Sequence, residues 1–136
     1  LSNAAVAHAM ALPLGARLGT PHGLALAVVQ PVVLAHTWEA QPQRCAMLAE
    51  AVGVAEPGAG VRANAQALVA WMNGFVAEIG LAALWSGAGV DAALPARLAK
   101  DVFAYMGRPV SQYRPVFDEP QIRRMFEEAL GCSAHA

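Results

Sequence analysis

Apolar residues recur at spacings of three and four along almost the whole chain, and runs of β-branched residues are short, so the pattern is helical. A first helix is expected over residues 4–17, stopped at Gly19 and Thr20. Thr20 offers a hydroxyl N-cap and Pro21 a preset first helical φ, which predicts a second helix over 21–36, apolar nearly all round and kinked or shortened at Pro31. Pro42 opens a third helix with Met47, Leu48 and Val52 as its inner stripe and Gly53 as its stop. The EPGAG segment, Glu56 to Gly60, reads as a loop. A long fourth helix over 61–79 follows, with Leu68, Trp71, Met72, Phe75 and Ile79 on one face and Gly80 after it.

Residues 85–95 read as a loop leading into a fifth helix over 93–105. Beyond Gly107, Pro109 and Pro115 predict irregular chain. Asp118 and Gln121 form a capping box for a last helix reaching Leu130 and ended by Gly131. No strand and no solenoid repeat is expected, so residues 1–136 read as one all-α domain, a bundle of about six helices.

Composition changes this picture in one respect. The chain is 57% hydrophobic and 14% charged, where roughly 25% charged is ordinary for a globular domain. A bundle of this size cannot hide every apolar face. Contiguous apolar surface is therefore expected around 24–34 and 65–79, on the side of His8 and His22, together with self-association or docking to another domain or subunit. The net charge of −1 and the absence of any basic run longer than Arg123-Arg124 exclude the electrostatic footprint of a nucleic-acid binder. The longest apolar stretch, 24–36, falls short of the ~20 residues of a membrane span and contains Pro31, and no signal-like segment opens the sequence. Cys45 and Cys132 belong to no metal or redox motif and read as reduced thiols of a cytoplasmic protein.

Candidate chemistry centres on two histidines, His8 and His22, fourteen positions apart on different expected helices. That spacing alone points weakly to metal, because paired ligands on one helix stand three or four apart and a site ordinarily takes three or four protein ligands. Their surroundings add something. His8 lies among Ala7, Ala9 and Met10, where an imidazole needs a polar partner, and an antiparallel return of the chain brings the start of the second helix back towards it. His36, His135, Asp91 and Asp101 read as solvated or capping residues. Trp71, Trp85 and Phe103 read as core rather than cavity lining.

The order of residues adds a resemblance. LSNA, then HAM, then PLGARLGTPHGLALAVVQPVVL is similar to the metal-binding segment of the iron-containing, or group III, alcohol dehydrogenases; RCAMLAEAVG, IGLAALWSGAGVDAALPARLAKDV, GRPV and IRRMFEEAL continue the similarity more loosely over nearly the whole chain. The resemblance implies the C-terminal helical, metal-binding part of that fold, which it shares with dehydroquinate synthase-like proteins. It further implies that His8 and His22 are two of the four ligands, three His and one Asp, of a divalent iron or zinc ion. The metal acts as a Lewis acid on an alcohol or carbonyl oxygen while hydride passes to or from NAD(P). Imidazole suits iron and zinc alike.

The sequence departs from the family pattern in three ways. The other two ligands and the nucleotide-binding α/β domain have no counterpart here, and no glycine-rich fingerprint follows a strand. Leu12 stands where the family has a further His, four residues after the first ligand, so a polar group has become apolar. The segment before His8 is about two residues short. The chain is accordingly expected to act within an oligomer or with a missing N-terminal α/β domain, on a small alcohol or carbonyl substrate, and to be inactive alone. A non-catalytic helical binding or assembly module derived from such an enzyme is the alternative.

Overall fold

The computed structural model describes residues 6–81, 89–112 and 114–131, the side chains of 107–112 excepted. Trp85, Cys132, His135, residues 2–4 and the first part, 85–88, of the loop expected over 85–95 lie outside them. The described residues form six helices and no strand: α1 (Val6–Leu18), α2 (His22–Thr37), α3 (Pro42–Ala51), α4 (Val61–Glu78), α5 (Leu94–Gln112) and α6 (Glu119–Ala129), with a 3-10 turn, Trp38–Ala40, after α2.

Local chemistry sets most boundaries where they were expected. At α6 the Asp118 carboxylate accepts from the Gln121 amide at 2.8 Å, and the Gln121 side-chain oxygen accepts from the Asp118 amide at 2.8 Å, so two amides left free at a helix start are satisfied reciprocally. The EPGAG loop is clamped by one residue: the Asn64 carboxamide accepts from the Glu56 amide at 2.9 Å and donates to the Glu56 carbonyl at 3.2 Å. Asp91 caps α5, accepting from the Ala93 amide at 2.9 Å and from Arg97 through both oxygens.

Two boundaries differ from expectation. Helix α2 begins at His22, with Pro21 in the N-cap position at φ −53 and ψ 138 and no side-chain cap. Thr20 is not the N-cap because it is used by the preceding helix: its amide donates back to the Gly15 carbonyl at 3.1 Å, across Gly19 at φ +62. That is a Schellman-type end to α1. Helix α5 runs through Pro109 to Gln112 instead of stopping near Tyr105. A proline inside a helix forfeits one amide bond, here to the carbonyl of Tyr105, a residue that is 80% exposed. Pro31 likewise does not shorten α2, which continues to Thr37.

Two apolar clusters organise the packing. The larger joins α1, α2, α5 and α6, with Met10, Leu14, Val29, Leu98, Ile122 and Phe126 among its fully buried members. The smaller holds the α3–α4 hairpin under Trp38, through Cys45, Ala49, Ala65 and Leu68. Arg62 lies over the Trp38 ring at 4.9 Å and pairs with Glu39 at 2.7 Å. Helix α2 belongs to both clusters, giving Val28, Val29 and Val33 to the first and Leu34 to the second. By length and composition His22–Ala40 could cross a bilayer, contrary to the estimate from 24–36 alone; in this fold α2 packs on α1, α4 and α6.

The inner stripe of α3 is a correction. Met47, Leu48 and Val52 are 67%, 54% and 38% exposed, while Cys45, Ala46 and Ala49 are buried. Small side chains let α3 approach α4 closely, and the larger ones are displaced outward. Phe75 of α4 and its C-cap residue Ile79 are also exposed, because α4 has 18 residues against the 10 of α3 and its last turns outrun the hairpin. The expected apolar surface over 24–34 does not materialise: no residue of that stretch is exposed.

Candidate metal centre

His8 projects from the first turn of the α1 range, and His22 is the first residue of α2. The turn between them is compact, because Gly15 admits the returning chain: a Cβ there would stand 3.0 Å from the Thr20 carbonyl oxygen. The return brings the two imidazoles together edge to face, with centroids 4.8 Å apart and planes at 78°. His8 is half-buried and His22 exposed, and neither ring makes a hydrogen bond to another described residue.

Two imidazoles holding one ion at about 2.1 Å have centroids roughly 4.6 to 5.3 Å apart for coordination angles of about 90 to 110°. The observed separation lies in that interval. Two nitrogens are an incomplete donor set, and among the described residues no group of three or more His, Cys, Asp or Glu is placed to hold a metal. The remaining candidates are engaged elsewhere. His36 ties α2 to α6 through Glu128 at 3.0 Å, and Asp91 caps α5. Asp101 takes Arg17 of α1 in a bidentate pair, and that bond holds the Arg17 guanidinium more firmly protonated than usual. Trp71 and Phe103 are partly buried against the two clusters, Trp71 stacked on Phe75 with centroids 5.3 Å apart.

Leu12, one turn beyond His8, is 41% exposed and lines a groove of about 430 Å³ between α1 and α5. Sequence reasoning missed this groove, since its two walls meet only through packing and Arg17 and Asp101 stand 84 positions apart.

With the bundle and the paired histidines in view, comparison with known proteins decides the class. The model for the Fe-containing alcohol dehydrogenase family, C-terminal, matches residues 1–130, and the chain belongs to that family. A 1,3-propanediol oxidoreductase structure superposes with a TM-score of 0.77 at 26% identity, over 90% of this chain and 32% of that one. A mutant of an archaeal halo-thermophilic alcohol dehydrogenase from a Red Sea brine pool gives 0.78 at 22% identity, over 96% and 34%, which is a likeness of fold. A ligand-bound form of that archaeal enzyme gives 0.78 at 22%, over 95% and 33%. No curated protein matches. The chain thus spans about a third of the length of the solved structures it resembles.

Proposed function

We propose that this bundle contributes His8 and His22 to the divalent-metal centre of an NAD(P)-dependent alcohol or carbonyl oxidoreductase of the iron-containing type. The nucleotide and the other two ligands would come from an α/β part, within one polypeptide or from a partner subunit of a cytoplasmic oligomer. The observation that carries the reading is the convergence of two otherwise unbonded imidazoles at 4.8 Å. When bound, the metal supplies Lewis acidity at the substrate oxygen during hydride exchange with the nicotinamide. The chain's own residues set the geometry: α1 fixes His8 from a buried helix, and the Gly15–Thr20 closure fixes the first turn of α2, so both ligands sit on rigid elements.

Cobalt(II) titration of the 136-residue chain, read by visible absorption and by zinc competition, tests this. His8→Ala and His22→Ala should each weaken binding at least tenfold. Undiminished binding in the double variant would leave only the non-catalytic binding or assembly module.

A further inference from the structure

Helix α3 turns a continuous apolar stripe outward. Met47, Leu48, Ala51 and the C-cap residue Val52 follow one another at spacings of three and four and are all exposed, so they share one side of the helix while Cys45, Ala46 and Ala49 face inward. Two exposed charges accompany the stripe, and each stands at the wrong end of its own helix. Arg44 lies in the first turn and Glu50 in the last, whereas the helix dipole favours an acid at the start and a base at the end. Among the described residues neither meets an opposite charge: Arg44 donates to the Gln41 carboxamide oxygen at 3.1 Å, and Glu50 is in no ion pair. Glu50 also lines a groove of about 570 Å³ between α3 and the start of α4, with Glu56 on its loop wall and no Lys or Arg among its lining residues. The apolar stripe thus carries an unpaired base at one end and an unpaired acid beside an acidic groove at the other.

Such a face is complementary to itself. A twofold axis passing between Met47 and Leu48 sets two α3 helices antiparallel, lays stripe on stripe, and brings Arg44 of one copy opposite the Ala51 position of the other, one residue from Glu50. We propose that the outer face of α3 is a self-association surface, on which two copies of this chain pair antiparallel through Met47, Leu48, Ala51 and Val52 with Arg44 of each copy against Glu50 of the other. The occupant is a second copy because one face supplies both the base and the acid. Three helical turns are a small footprint beside the roughly 800 Å² per partner of a stable complex, so the contact is weak, with a dissociation constant of about 0.1 mM. Helix α3 packs on α4 and the 3-10 turn and touches neither helix that carries a candidate ligand. The proposal therefore stands or falls apart from the metal-centred reading.

Sedimentation equilibrium of the 136-residue chain from about 20 μM to about 2 mM, a range that brackets the expected constant, tests this beside ¹⁵N spectra over the same concentrations. A monomer–dimer equilibrium is expected, with concentration-dependent amide shifts concentrated over residues 43–52. Met47→Ser combined with Leu48→Ser removes four apolar side chains from the paired face and should weaken association at least about tenfold. Arg44→Glu alone and Glu50→Arg alone each set like charges against one another at two places, and each should weaken it about fivefold or more. In an equimolar mixture of those two variants both contacts are again opposite in sign, so the mixture should recover the parental affinity. All four positions are exposed, and the spectra report whether the fold is kept. A chain that stays monomeric throughout, a dimer indifferent to the Met47 and Leu48 substitutions, or a mixture no tighter than either charge variant alone would overturn the proposal.

Discussion

Replacing Gly15 by alanine should destabilise the protein, although the same change inside a helix ordinarily stabilises it. The ordinary gain is about 1 kcal/mol, since alanine loses less backbone freedom on folding. At Gly15 the new Cβ would stand 3.0 Å from the Thr20 carbonyl oxygen, about 0.4 Å inside ordinary contact. The neighbour cannot swing away as a side chain tip would: it is backbone, and its own residue is bonded to the Gly15 carbonyl at 3.1 Å. Overpacking of this kind costs about 1–3 kcal/mol, so a net loss near 1 kcal/mol follows, some 3–5 °C in Tm for a domain of this size. Gly74, inside α4, is the control, because nothing lies within 4 Å of its added Cβ. Gly74→Ala should gain up to about 1 kcal/mol. Urea denaturation of the two variants beside the parent measures both, and cobalt affinity should fall in Gly15→Ala alone. If Gly15→Ala proves as stabilising as Gly74→Ala, the close approach is not what shapes this turn.

Acid should loosen the start of α5. The Arg97 hydrogen bond first, then the Ala93 and Leu94 amides, hold the Asp91 carboxyl below the usual carboxylate range. Its stabilisation is therefore complete above about pH 4, the ordinary aspartate pKa, and is lost as pH falls through the lower folded value. Amide protection at Leu94, Ala96 and Arg97, taken relative to the intrinsic exchange rate from pH 6 to 2, should show this, and Asp91→Asn should remove most of its pH dependence. On the packing side, Phe126→Ala should cost about 3–5 kcal/mol, Phe126 being fully buried. Met47→Ser, at a side chain 67% exposed, should stay within about 0.5 kcal/mol; denaturation midpoints compare the two.

Helical periodicity made the number and type of elements legible, and the Asp118–Gln121 box and the Glu56–Gly60 loop were readable residue by residue, since each depends on neighbours close in sequence. What escaped was decided by tertiary contact. Bulk points to Met47, Leu48 and Val52 as the inner face of α3, whereas Cys45 and Ala49 face α4 because their small side chains allow the close approach. Pro109 signals a stop in isolation, whereas α5 carries it through to Gln112 with one amide bond forfeited. At the candidate site, His8 and His22 stand out by residue type and resemblance, but their approach depends on the Gly15–Thr20 closure, in which Thr20 ends α1 instead of capping α2. The groove beside Leu12 left no local trace, because half of its wall comes from α5.

Helix α2 has the histidine at its first residue and runs at its other end into Trp38, the roof of the α3–α4 hairpin. Sixteen residues make a rod about 24 Å long, packed on the larger cluster from Leu24 to Val33 and on the smaller through Leu34 at its far end. A rod held in this way conveys displacement along its length with little bending. Loosening the outer hairpin would therefore shift the pitch and rotation of α2, and with them the aim of the His22 ring, without altering any residue that touches the site. In the proposed metal centre, small residues of the hairpin such as Ala49 and Ala65 would bear on the aim of that ring through the packing of Leu34 and Trp38, although they touch neither histidine.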